Sequence, residues 1–362
     1  MKDFSSTERL IANAIEKRMI PGCVCAVGDR DGVKYLKAFG KKRLFHDDAP
    51  CFELFPETVP SDAPDTDENT MYDMASCTKV LATTAVTLKL MCAGEFCLSD
   101  KVSRFIDVPS DKHDIEIFHL LTHTSGIIGY DILENLALSP DEALNAIFNY
   151  PLRHKIGEEV EYSCVGFMML TKIIEALTGE KLDVLAKRMV FDPLGMKDTC
   201  FNPKKYGYTD FAATEYSKKL KRYKCGEVHD ENALFLGGVS GNAGLFSTAG
   251  DTAKFALMLA RGGDGFLPEC VVEAARTDCT PGLSDARGLG FLVRRNRYSP
   301  AGDFFSSGSF GHSGYTGTAF YIDPKTSVFG VLLTNRVHFT RANEELLRFR
   351  HLFYNNISAV MN

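Results

Sequence analysis

The sequence predicts an α+β fold: an antiparallel sheet flanked by terminal helices, plus a mostly helical subdomain inserted between the two halves of the sheet. Three observations carry this expectation. Strand-type runs cluster near both ends, at residues 23–28 and 33–39 and again at 290–293, 316–322 and 327–333. The stretch between them repeats its apolar residues at helical spacing. Amphipathic segments at 5–19 and 341–360 close the two termini. The expected arrangement is therefore an α/β layer built from the two termini, with a helical insertion between them.

Taken in order, Ser6 or Thr7 can cap the first helix, and Leu10, Ile11, Ala14, Ile15 and Met19 share a face before Pro21-Gly22 stops it. The next two strands are joined by Asp29-Arg30-Asp31-Gly32, a hairpin turn. Residues 44–78 have loop chemistry, with no Lys or Arg, nine acids and four prolines, and read as a solvated excursion. From Ser76 a helix is expected, with Leu81, Ala85, Leu88 and Met91 on one face and Ala93-Gly94 at its end. Further helices are expected at 115–121, 141–149, 165–177 and 182–190, and another from Thr248.

Forty-one basic residues stand against forty-seven acidic ones, for a net charge of −6. That balance argues against nucleic acid or anionic membrane as a partner. No apolar run approaches the ~18 residues of a membrane span. The first eight residues lack a signal-peptide core, so a soluble, cytoplasmic protein with no membrane span is expected. Eleven cysteines without a C-x-x-C pair read as buried reduced thiols, not disulfides.

Three segments carry chemistry. Ser76-Cys77-Thr78-Lys79 sits where loop gives way to helix. Residues three apart share a helix face, so hydroxyl and amine meet beside the free N–H groups of a helix start. A serine there can become a nucleophile. Glu161-Tyr162-Ser163-Cys164 precedes another helix, and a phenol set between a lysine and a serine can serve as general base. Gly311-His312-Ser313-Gly314-Tyr315-Thr316-Gly317 lies ahead of a strand, where glycines allow close backbone approach to a developing oxyanion. It nearly matches G-x-S-x-G, but Tyr315 fills the last position and no helix follows, which excludes an α/β-hydrolase elbow.

In this order and at these separations the three segments resemble the serine β-lactamase and penicillin-binding-protein superfamily, in the branch of class C β-lactamases, D-aminopeptidases and related esterases. The resemblance spans about residues 11–335 and includes Leu120-Leu121-Thr122-His123-Thr124-Ser125-Gly126, Phe191-Asp192-Pro193-Leu194-Gly195-Met196 and Gly241-Asn242-Ala243-Gly244-Leu245-Phe246-Ser247-Thr248. It implies Ser76 as acyl-forming nucleophile, Lys79 as its proton-handling partner and Tyr162 as general base and then general acid. The backbone N–H groups of Ser76 and Tyr315 would form the oxyanion hole, with His312, Ser313, Gly314 and Cys164 in substrate binding. Two departures bear on specificity. Cys164 stands where many members have Asn, and His312 where β-lactamases have Lys; both weaken β-lactam recognition.

The resemblance thus implies a two-part fold, with 1–75 and 280–362 as an α/β unit, 76–280 as a helical one and the site in the cleft between them. It also implies a metal-independent serine hydrolase, free of cofactors, forming an acyl-enzyme on small esters or amides. A true β-lactamase, a D-alanyl carboxypeptidase or D-aminopeptidase, and an acyltransferase are the alternatives. His119 and His123, four apart, lack the Glu of H-E-x-x-H and read as core residues rather than metal ligands. The glycine-rich stretch 237–244 lacks a phosphate-loop ending and reads as tight packing near the site, with His229-Asp230-Glu231-Asn232 lining the cleft.

Overall fold

The computed structural model describes residues 2–53, 58–295 and 299–362. Among these residues six strands form the main sheet: β1 (Gly22–Asp29), β2 (Gly32–Gly40), β3 (Leu292–Val293), β4 (Phe310–Ser313), β5 (Ala319–Ile322) and β6 (Phe329–Thr334). All pair antiparallel, in the order β2-β1-β6-β5-β4-β3, so the first hairpin docks its β1 edge on the last strand.

Both faces of the sheet are covered, which explains why β1 is apolar throughout. Cys23, Cys25 and Val27 face one way, against the helices Ser5–Glu16 and Glu345–Met361 through Ile11, Phe349 and Phe353. Val24 and Ala26 face the other, in one core with the helix Ala249–Ala260, whose Phe255 meets Phe320 edge-on at 5.9 Å. Alternation with period two puts the two cysteines on one face. All eleven cysteines are free thiols. At the sheet's margin β2 carries Lys34 and Lys37, a charged edge that discourages further strand pairing.

The middle of the chain surrounds the helix Cys164–Thr178, buried at Val165 to Thr171 and at Ile173 and Ile174. Helices at Ile117–Leu121, Pro140–Phe148 and Leu182–Ala186 lie near the expected places. The helix expected from Ser76 differs. It opens as a 3-10 turn (Ala75–Cys77), widens into a π-helical stretch (Lys79–Thr84) and becomes α only over Ala85–Cys92. Thr83 turns its hydroxyl to the Gly241 carbonyl at 2.9 Å, and π-bulges of this kind gather at functional sites. A second π turn, Lys187–Phe191, replaces the end of the helix expected at 182–190.

Three other expectations shift. The first helix stops at Glu16 because Arg18 adopts a left-handed φ of 59°. Strand β4 was not among the expected strands, since its Gly-His-Ser sequence has little strand character. The segment 44–78 is no simple solvated excursion. Leu44, Phe45, Met71, Tyr72 and Met74 are buried, and Tyr72–Asp73 pairs with Leu245–Ser247. Among the described residues no helix is long and apolar enough to cross a membrane.

Candidate active site

The strand Tyr72–Asp73 delivers the chain to Ser76 through a strained turn. Ala75 sits at φ 43°, a left-handed conformation that costs a non-glycine residue roughly 1–2 kcal/mol. Two contacts hold it there. The buried Asp73 carboxylate accepts the Ala75 N–H at 2.8 Å, and Thr318 Oγ1 donates to the Met74 carbonyl at 3.1 Å. Asp73 also accepts the His229 N–H at 2.6 Å, and burial pushes its pKa up. Gly314 must be glycine in this packing, because a Cβ would stand 2.3 Å from Thr318 Oγ1 and 2.5 Å from the Met74 carbonyl. The third segment thus presses its backbone directly onto the serine turn.

Lys79 is fully buried one turn beyond Ser76. Its ammonium donates to Ser76 Oγ at 3.2 Å, to the Asn242 carbonyl at 3.0 Å and to Cys164 Sγ at 3.5 Å. It also lies 4.8 Å from the centroid of the Tyr162 ring. Burial pulls the Lys79 pKa down, but the sulfur of Cys164 and the oxygen of Tyr162 outweigh it, and the net direction is up. Burial raises the Tyr162 phenol above its ordinary value, against the pull of Lys79 and hydrogen bonds from Lys79 and Ser76. The arrangement suits a lysine that stays cationic and a phenol whose anion that cation can stabilise.

The loop carrying Tyr162 is fixed by its neighbours. Ser163 caps the following helix by accepting the Gly166 N–H at 2.9 Å, while its own N–H donates to His123 Nδ1 at 3.0 Å. The His123 ring packs on Tyr162 with centroids 4.6 Å apart, and burial holds its pKa well below the usual histidine range. His119 and His123 do not share a helix face, since His123 lies beyond the helix at φ 59°. His119 instead accepts the Glu116 N–H at 3.0 Å. Among the described residues no cluster of His, Cys, Asp or Glu could hold a metal ion.

On the sheet side, His312 Nδ1 meets the Ser313 carbonyl at 2.9 Å, which requires the proton on that nitrogen and leaves Nε2 as a bare acceptor. Burial, with Lys79 and Arg287 adding to it, lowers its pKa to about 3, so the imidazole is neutral. Two cavities of about 270 Å³ each meet at Ser76, sharing Tyr162 and Tyr315. One is lined by Cys164, Tyr130, His229, Asp230 and Glu231. There Arg341 pairs with Glu215 at 2.6 Å and Glu231 at 2.8 Å. Although burial pushes Glu215 up, hydrogen bonds from His229 and Arg341 hold it at about 2. The other cavity holds His312, Ser313 and Gly314 together with Arg287, Arg336 and Arg350.

The structure therefore brings together every site residue named from the sequence: Ser76, Lys79, Tyr162, Cys164, His312, Ser313, Gly314 and Tyr315. It also gives roles to residues for which the sequence assigned none. Asn242 supplies a carbonyl to Lys79 from the glycine-rich stretch, Asp73 braces the serine turn, and three arginines line one cavity. The arginines had no signal, since they stand alone in a loop, after β6 and on the last helix.

The β-lactamase family profile matches residues 7–354. The chain is similar to a protein of Escherichia coli K12 provisionally named a D-alanyl-D-alanine carboxypeptidase, with 34% identity over 74% of this chain and 70% of that one. A Salmonella typhimurium protein of the same name is 35% identical over 77% of this chain and 72% of its own. Solved structures share the fold at lower identity. The octameric penicillin-binding protein homologue of Pyrococcus abyssi has a TM-score of 0.73 at 22% identity, covering 94% of this chain and 75% of its own. EstCE1, a hydrolase with promiscuous acyltransferase activity, reaches 0.73 at 20% identity over 96% and 97%. Simvastatin synthase of Aspergillus terreus reaches 0.74 at 20% identity over 98% and 97%. With a family match along nearly the whole chain and these relatives beside it, the chain belongs to the β-lactamase family, as a serine β-lactamase and penicillin-binding-protein type hydrolase.

Proposed function

We propose that the protein cleaves small esters or amides through an acyl-enzyme on Ser76, in the manner of the class C-like branch. The observation that carries this reading is the Lys79 ammonium, buried and 3.2 Å from Ser76 Oγ beneath the Tyr162 ring. With Tyr162 ionised, Ser76 Oγ would bond to the substrate carbonyl carbon while its proton passes to the phenolate oxygen. Lys79 would stabilise the phenolate, and the N–H groups of Ser76 and Tyr315 would face the oxyanion. Collapse would break the bond to the leaving group, which takes the proton from Tyr162; water would then reverse the sequence and release the acid.

The reading places the cleft between a unit of residues 1–75 with 280–362 and a unit of 76–280. Two cavities meeting at the serine suit an acyl group on one side and a leaving group, or an acyl acceptor, on the other. The three arginines support a leaving group that ends in a carboxylate, as in D-alanyl peptides. They supply permanent charge that His312 does not.

The test is turnover of phenyl acetate by the full chain, followed with intact mass. A transient adduct of one acetyl group on Ser76, with continued product release, is expected. Product diverted to an ester by added alcohol would assign acyl transfer. Hydrolysis that persists undiminished in Ser76→Ala would end the reading.

A further inference from the structure

The arginine cavity holds more positive charge than one carboxylate can match. Arg287, Arg336 and Arg350 are only 6%, 8% and 7% exposed, and among the described residues the cavity's lining contains no acid. Arg287 shares its charge with Asp285 at 2.8 Å, yet its Nε is buried without a partner. Arg336 donates to the carbonyls of Tyr315, Arg341 and Asn343, which orient it but do not neutralise it. Glu344, acting on it from an exposed position, forms no ion pair with it among the described residues. Arg350 has neither an ion pair nor a hydrogen bond among the described residues, and its Nε too is buried and unpartnered. Arg350 and Arg336 repel one another, which adds to burial in lowering the Arg336 pKa.

Desolvated like charges of this kind are costly unless an anion completes them. A single carboxylate takes one guanidinium in bidentate fashion and cancels one charge. With Arg287 already paired, Arg336 and Arg350 leave two charges over. We propose that this cavity is built for a leaving group carrying two negative charges, a dicarboxylate, so that the preferred substrate is an ester or amide of a diacid-bearing alcohol or amine. This rests on the acyl-enzyme reading for its chemistry but not for its binding. The apolar wall of Leu292, Leu346 and Leu347 would take the carbon frame between the two acids.

The experiment compares phenyl acetate, 3-carboxyphenyl acetate and 3,5-dicarboxyphenyl acetate, with each kcat/KM divided by the ester's own hydroxide rate. The wild-type value is expected to rise about tenfold with the first carboxylate and about tenfold again with the second. Both gains should shrink as salt is raised. Arg350→Met should bring the dicarboxylate down to the level of the monocarboxylate, and Arg350→Lys should recover part of the difference. Equal rates for the mono- and dicarboxylate in the wild type would overturn the proposal. Binding is read separately, by calorimetry on Ser76→Ala with 3-hydroxybenzoate and 5-hydroxyisophthalate. Tighter binding of the isophthalate supports the cavity even if no ester is cleaved, an outcome that would defeat the acyl-enzyme reading alone. Equal binding of the two phenols would overturn the cavity while leaving that reading in place.

Discussion

The two walls of the cleft are built on opposite plans. On the helical wall Ser76, Lys79 and Tyr162 come from two short segments; Lys79 is tied to Ser76 Oγ and the Asn242 carbonyl, and Ser163 caps the helix behind Tyr162. On the sheet wall the cationic groups come from scattered positions, and two of their nitrogens, Arg287 Nε and Arg350 Nε, are buried with nothing to bond among the described residues. A satisfied wall is preorganised for chemistry, whereas an unsatisfied one waits for a ligand. Under the proposed function, changes on the first wall should alter the chemical step and changes on the second should alter which substrate is taken.

The sharpest way to break this contrast is Ser76→Ala. If all acyl transfer runs through this hydroxyl, kcat/KM on a small ester should fall about 10⁴-fold or more, roughly 5.5 kcal/mol. A serine-reactive phosphonate should add once to the wild type and not to the variant. An adduct of equal yield in both would move the nucleophile elsewhere.

Next in size are the partners. Lys79→Ala and Tyr162→Phe should each cost about 10³-fold, and the double variant little more than either, because both residues serve one proton transfer. Activity should also fall on an acidic limb whose apparent pKa belongs to the pair rather than to either residue. Losses that add in free energy would show two independent helpers. Near-normal activity in Tyr162→Phe would leave the phenol structural.

The same contrast explains what could be read in the sequence. The serine, lysine and tyrosine lie in local patterns, S-x-x-K at an element start and Tyr-Ser-Cys before a helix, so their proximity followed from spacing plus family resemblance. The sheet's strands were legible where both faces are apolar, as in β1 and β6. They were illegible in β4, where Gly311 and His312 are there for backbone approach to the serine turn and not for strand propensity. The burial of Leu44 and Tyr72 could not be read from a proline-rich acidic stretch, because it depends on partners such as Phe339 and Ser247, far along the chain. The arginine cavity was hidden for the same reason. Arg287, Arg336 and Arg350 meet only through tertiary packing.

Stability supplies the third test, through two buried neutral histidines. His312 is lowered to about 3 and His338 to about 4, in each case first by burial. Their unfolded values lie near ~6.5. Between those limits the unfolded chain binds protons that the folded chain refuses, so stability is full above pH ~6.5 and is lost as pH falls. At pH 5 each should have cost about 2 kcal/mol. The melting temperature should therefore drop between pH 7 and pH 5, and His338→Gln should make that drop shallower. A flat profile would mean that the fold holds neither ring neutral.

The smallest effect probes the seam between the walls, at Cys164. This residue begins the helix Cys164–Thr178 and lines the cavity opposite the arginines, where the acyl portion of a substrate would lie. Its thiol accepts from Lys79 but is a weak donor, so it has little to offer the amide oxygen of an acylamino substrate. An asparagine there can accept from Lys79 with its oxygen and donate to the substrate with its amide. One such hydrogen bond is worth about 0.5–1.5 kcal/mol, or roughly two- to twelvefold in rate. Cys164→Asn should therefore raise kcat/KM for the phenyl ester of N-acetylglycine over that of phenyl acetate by about fivefold relative to the wild-type ratio. The gain should appear in that ratio and not in the preference for carboxylate leaving groups, which is set on the other side of Ser76. If the variant shifts leaving-group preference as much as acyl preference, the two cavities do not divide the substrate as proposed. If the acyl ratio stays unchanged, position 164 does not face the acyl group at all.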